Sequence, residues 1–256
     1  MQRVKARRRR RKATLRDLLI ALGIKRTKAI VMPSGGDRLE LDFEISPHEF
    51  LAQAAVDLQS EGRAALFNSI TNSRRAILCE MDRVLGALGF RIEMMTTKSK
   101  TDLLRFLGLP TPNILRKVGQ TRNELEHEYK IPPQDKVEDA LDIAVLFVHA
   151  MDRHLETFWG DFYLGNKGEE MRNDFGFQNE VLFYYDPKKK NLRATGVRCT
   201  ENPAERYSSK RDVVGEALLS SDDPEFKHCI RLALLEYISL PTKDAMAELF
   251  DALAIP

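Results

Sequence analysis

Between Pro47 and about residue 158 the apolar residues recur every three to four positions, and this run of helical period most restricts what the chain can fold into. "PHEFLAQAAVDLQSEG" predicts a helix with Ser46 as its cap and Pro47 in its first turn. "RAALFNSITNSRRAILCEMDRVLGALG" predicts one long helix, or two broken near Asn72, ending at Gly89. "TKSKTDLLRFLGLP" is a shorter helix closed by Gly108 and Pro110, and "TPNILRKVGQTRNELEHEY" is another, capped by Thr111 and stopped by Pro132 and Pro133. Asp135 is then expected to cap a helix through "KVEDALDIAVLFVHAMDRHLETF". Val137, Ala140, Leu141, Ala144, Val145 and Val148 would make its apolar face.

On either side the period changes. Thr14 and Asp17 form a capping-box pattern before the short helix "TLRDLLIALGI". "KAIVM" and "RLELDFEI" follow as two strands joined by a "PSGGD" turn; the second alternates Leu39, Leu41, Phe43 and Ile45 with acids. After 158, Gly160, Gly165, Gly168 and Gly176 mark irregular chain, and the aromatics of "FWGDFY" around Trp159 read as a domain seam. "EVLFYYDPKKKNLRATGVRC" is a strand, a charged turn and a second strand, and helical patterns resume in "DVVGEALL", "DPEFKHCIRLALLEYISL" and "TKDAMAELFDAL". The expected organisation is a basic arm over 1–13, a helix with a hairpin over 14–46, a helical domain over 47–158 and an α+β region over 159–256. The fold class expected is mainly α: an antiparallel helical bundle with appended α+β segments.

Charge is unevenly distributed. Residues 3–12, "RVKARRRRRK", hold eight basic side chains and no acid, so a net charge of +2 becomes −6 for the rest. Such an arm, with Arg7, Arg8, Arg9, Arg10 and Arg11 at its centre, is either a solvated tail or a non-specific phosphate binder acting by counterion release. No apolar run approaches the roughly 18 to 20 residues that span a bilayer, so no membrane role is expected. Three cysteines, Cys79, Cys199 and Cys229, are too scattered for a disulfide framework or a structural zinc site, which suits a cytoplasmic protein without a metal.

The stretch with the most chemistry is "TRNELEHEY", which places Arg122, Asn123, His127 and Tyr129 just before the Pro-Pro break. On a helix, Arg122 with Glu126 and Asn123 with His127 are ordinary i,i+4 partners, so an exposed polar face explains them equally well. In its setting, with an upstream helix "SRRAILCEMDRVLGALG" and a following apolar helix "DALDIAVLFV", the stretch resembles the motif of HEPN domains. The resemblance covers about 47–158. It implies a metal-independent endoribonuclease, with no cofactor, in which the ribose 2′-hydroxyl attacks the adjacent phosphate. Arg122, Asn123 and His127 would be the site residues and Tyr129 a site-lining or modifiable residue.

The residue types suit that chemistry: a histidine titrates near neutrality, and a guanidinium can meet two phosphorane oxygens together. Arg122 lies about 140° round a helix from His127, so the two converge only if the helix frays or the arginine reaches around it. The resemblance further implies a homodimer with a composite site, RNA as substrate, and a toxin or antiviral defence setting with an antitoxin or partner protein. Glu124, Glu126 and Glu128 crowd the motif with negative charge. The alternative reading is therefore a non-catalytic dimerisation and nucleic-acid-binding module, or a sensor subunit. Glu180, Asp186 and the lysines at 188–190 have the residue content of a metal nuclease but the wrong order, and a hairpin turn accounts for them. His149, in an apolar helix, is expected in the core.

Overall fold

The computed structural model describes residues 13–110, 132–156, 158–170, 176–201, 209–237 and 242–256. The chain divides into two compact units, one of Asp37–Phe158 and one joining the chain up to Gly36 with Trp159–Pro256.

The described part of the Asp37–Phe158 unit is helical. α1 lies in the other unit, and the helices here are α2 (Pro47–Gln59), α3 (Arg63–Ala87), α4 (Thr97–Leu107) and α5 (Gln134–Glu156). α2 opens with a capping box: Ser46 Oγ accepts from the Glu49 amide at 3.2 Å, and the Ser46 amide donates to Glu49 Oε2 at 2.7 Å. α3 runs unbroken through Asn72, whose amide donates to Asp57 Oδ2 on α2 at 2.9 Å instead of competing for its own backbone. α4 ends at Gly108, which takes the left-handed conformation (φ 80°) that a helix C-terminus favours in glycine. α5 buries Val137, Ala140, Leu141, Ala144, Phe147, Val148 and Met151, and it packs against α2 and α3. Its amides at Lys136 and Val137 both donate to the Pro133 carbonyl, so the helix begins at Gln134 and Asp135 falls inside its first turn rather than capping it.

Expected pairing fails for "RLELDFEI". The segment 38–45 belongs to no strand. The Leu39 amide donates to the Leu155 carbonyl at the end of α5 (2.7 Å), and Leu39 is buried. Leu41 lies against Gly86 of α3, where an added Cβ would come within 2.5 Å of its Cδ2. Phe43 and Ile45 stay exposed. Two apolar anchors on helices outweigh alternation, and "PSGGD" is part of strand β1 (Ala29–Asp37) rather than a turn.

The other unit is built on a five-stranded sheet in the order β1-β2-β3-β4-β5, with β2 (Phe158–Asn166), β3 (Asn179–Asp186), β4 (Asn191–Glu201) and β5 (Ser209–Leu219). β2 to β5 pair antiparallel in sequence, with Phe162 opposite Phe183, Phe183 opposite Ala194 and Ala194 opposite Ala217. Pro33 is tolerated because β1 is an edge strand. α1 (Leu15–Ala21), opened by the expected capping box of Thr14 and Asp17, packs on β4 and β5. It approaches where Gly196 and Gly215 face each other; a Cβ on either would sit 3.0 to 3.1 Å from Leu18 Cδ2. α6 (Phe226–Tyr237) and α7 (Lys243–Ala252) are joined by Arg231 and Glu248 at 2.5 Å. Arg26 grips Asp251 through both nitrogens at 2.5 and 2.9 Å.

The mainly-α expectation is thus corrected: the protein is α+β, with a five-stranded antiparallel sheet beside its helices. "DVVGEALL" is strand β5, its Gly215 serving the close approach of α1. "FWGDFYLGN" is strand β2 rather than irregular chain; Gly165 leaves room for the Phe177 ring, and Phe162 stacks on Phe183 at 4.5 Å within the sheet's core.

Candidate functional site

Arg122, Asn123, His127 and Tyr129 lie in the segment 111–131, outside the described residues, as do Arg7, Arg8, Arg9, Arg10 and Arg11. The structure describes the framework they enter: Pro132 is buried, and the chain passes from Pro133 directly into α5.

At the opposite end of α5, about 27 Å along its axis from Gln134 to Asp152, a chain of polar side chains joins three helices. It starts at Glu80, which stands on the buried face of α3 among Ile77, Met81 and Val84 and is itself fully buried. Arg83, one turn on, binds it through two nitrogens: Nε to Oε2 at 2.7 Å and Nη2 to Oε1 at 2.9 Å. The same Nη2 reaches Asp152 Oδ1 on α5. Asp152 Oδ2 then meets His48 Nε2 on α2 at 2.8 Å. The His149 ring, one turn before Asp152, lies 5.5 Å from the His48 ring.

Burial sets the electrostatics. It pushes the Glu80 carboxyl up to about 7, helped by the Asp152 charge and opposed by Arg83. Burial also works against the Arg83 charge, but the two carboxylates more than offset it and raise its pKa. Cys79, beside Glu80 in sequence, is pushed up to about 11 by burial and the neighbouring Glu80 and Asp82 charges, so its thiol is protonated and a poor nucleophile. Arg83 and Asp152 also line a groove of about 160 Å³ between the 38–42 stretch and the last turn of α5, together with Arg38, Glu40, Asp42 and Glu156. Chemically the arrangement holds a half-exposed imidazole in one orientation through a carboxylate, an arginine and a buried carboxylate in turn. It supplies an oriented proton-transfer group without an adjacent activated nucleophile. Among the described residues, no set of three or more His, Cys, Asp or Glu is placed to hold a metal ion.

None of these four residues stands out in the sequence. The one signal is Glu80 itself, a carboxylate on the apolar stripe of α3 with an arginine three residues later. His149, expected in the core, is exposed, and His154 is the histidine of α5 that is buried, its pKa lowered by that burial. Asp186 accepts from the Lys188 and Lys189 amides at 3.1 Å each, as a hairpin turn requires. Glu180 is fully buried, accepting from the Phe177 amide at 2.8 Å beside Cys199.

Comparison with known proteins gives no match: no family model, no curated protein and no solved structure is significantly similar to the chain. Among the described residues no helix is long and apolar enough to cross a membrane.

Proposed function

We propose that the protein is a metal-independent endoribonuclease of HEPN type, acting in the cytoplasm in a defence or toxin–antitoxin setting. Its RNA would be cut by attack of the 2′-hydroxyl at a site shared between two copies of the chain. The observation that carries the reading is the stretch Arg122-Asn123-x-x-x-His127-x-Tyr129, bounded by Pro132 and Pro133 and followed at once by α5. His127 transfers the proton, Arg122 neutralises the phosphorane, and Asn123, four residues before His127, orients the imidazole or a phosphate oxygen. Support also comes from the sequence setting of that stretch, since an apolar helix, α5, follows it directly and packs on α2 and α3.

A second reading has its own observation. Glu124, Glu126 and Glu128 place three carboxylates within the motif, which suits a module that dimerises or binds a partner without catalysis. Incubating the protein with mixed RNA in excess EDTA separates the two. Cleavage by the wild type, lost in Arg122→Ala and His127→Ala with unchanged circular dichroism, supports the enzyme. RNA binding without turnover at any protein concentration supports the module.

A further inference from the structure

The sheet of the second unit has one face turned to α1 and the core; the other is buried at Tyr163, Glu180 and Val197 and carries exposed side chains toward the β3–β4 turn. Along β3 burial alternates: Phe183 and Tyr185 are buried, while Tyr184 between them is 42% exposed. Register places Tyr184 beside Arg193 on β4, and Arg193 beside Leu218 on β5, which is 61% exposed. On β2, Tyr163 pairs with Leu182 on this same face, so Trp159, two alternations earlier, projects there too; it is 37% exposed. Tyr184 thus stands directly beside Arg193, with Asp161 next to it in register on β2, and Trp159 lies two residues further along β2, with strands about 4.8 Å apart.

The rim is cationic. The β3–β4 turn immediately beyond Tyr184 and Arg193 is Lys188-Lys189-Lys190. Together with Arg193 these basic groups outnumber Asp161, Asp186 and Glu216, and Asp186 is engaged by Lys189 Nζ at 3.1 Å. Exposed aromatics give any base a face to stack on, and the surrounding ammonium and guanidinium groups meet the phosphates between bases. A purely apolar partner would leave Arg193 desolvated at the centre of the contact. We infer that this face, centred on Trp159, Tyr184 and Arg193, binds single-stranded RNA by stacking and phosphate pairing. The inference deepens the ribonuclease reading by giving its single-stranded substrate a surface that holds it.

Trp159 is the chain's one tryptophan, so it reports directly on this surface. Full-length His127→Ala protein, which removes the proposed cutting histidine, is titrated with an unstructured 12-nucleotide oligouridylate while tryptophan fluorescence and RNA anisotropy are followed. Expected is quenching that saturates with the anisotropy change and weakens as salt rises. Tyr184→Ala and Arg193→Glu, both at exposed positions that leave the fold intact, are each expected to weaken binding roughly tenfold or more. RNA binding without quenching and unaffected by either substitution overturns the inference, as does no binding at all. So does a self-association that Leu218→Lys abolishes while RNA is ignored. The two readings fail separately: quenching in a protein whose wild type never cleaves leaves the surface standing, and cleavage by a wild type that shows no quenching leaves only the enzyme.

Discussion

Glu80 is where a single residue carries the most consequence. Its carboxyl is fully buried and raised to about 7, so the folded state holds its proton more tightly than the unfolded chain, where the ordinary value is 4.5. A folded-state pKa raised in an acid stabilises the fold at low pH, and that contribution fades as pH climbs from 4.5 through about 7. Glu80→Gln removes the linkage. Relative to the wild type it is expected to gain on the order of 3 kcal/mol between pH 4.5 and pH 8, read from urea unfolding at both values. An unchanged difference between the two proteins across that range contradicts the assignment. Arg83→Met leaves Glu80 without its cation and is expected to cost about 3 to 5 kcal/mol at pH 8. At pH 5 the cost shrinks, because Glu80 is then neutral. A penalty that ignores pH would mean Arg83 acts by packing alone. Neither residue was legible as a site in the sequence, because a Glu and an Arg three apart on a helix are commonplace until one of them is known to be buried.

Among the elements, those with local signals were legible and those fixed by distant partners were not. The starts of α1 and α2 follow from Thr14 with Asp17 and from Ser46 with Glu49, residues three apart that satisfy each other's backbone. Ser46→Ala is expected to cost about 1 kcal/mol, measured by chemical unfolding; no loss would show that Pro47 alone fixes the start. Strands β2 and β5 escaped notice for the opposite reason. The glycines of β2 read as chain breaks and β5 reads as a helical pattern, yet Gly165 admits the buried Phe177 ring and Gly215 admits Leu18, contacts made by residues far off or on another element. These approaches differ in severity. A Cβ at Gly165 would lie 2.2 Å from Phe177 Cγ, whereas one at Gly196 would lie 3.0 Å from the terminal methyl of Leu18. Gly165→Ala is therefore expected near the upper end of the roughly 1 to 3 kcal/mol that overpacking costs, and Gly196→Ala well below it. Thermal unfolding of the two variants checks the order, and equal losses would contradict it. "RLELDFEI" is the mirror case: perfect alternation on paper, overruled by Leu39 docking on α5 and Leu41 on α3.

At the scale of the molecule, the sequence distinguishes a helical stretch from a mixed remainder but does not reveal that β1 of the N-terminal region belongs to the sheet completed by β2 to β5. Sheet membership of so early a strand depends on pairing across more than a hundred residues, which no local window reports. The motif around His127 rests on residue types and setting alone and lies outside the described residues. The chain thus combines a helical unit braced internally by Glu80, Arg83, Asp152 and His48 with a sheet whose open face carries Trp159, Tyr184 and Arg193. In the proposed reaction RNA is cut at the motif by its own 2′-hydroxyl without a metal. The direct test is a defined single-stranded RNA that the protein cuts in excess EDTA, compared with the same strand carrying a 2′-O-methyl group at the cut position. Fragments ending in 2′,3′-cyclic phosphate are expected from the first and none from the second, with both strands intact in His127→Ala. Cleavage of the methylated strand, or cleavage only after a divalent metal is restored, would contradict it.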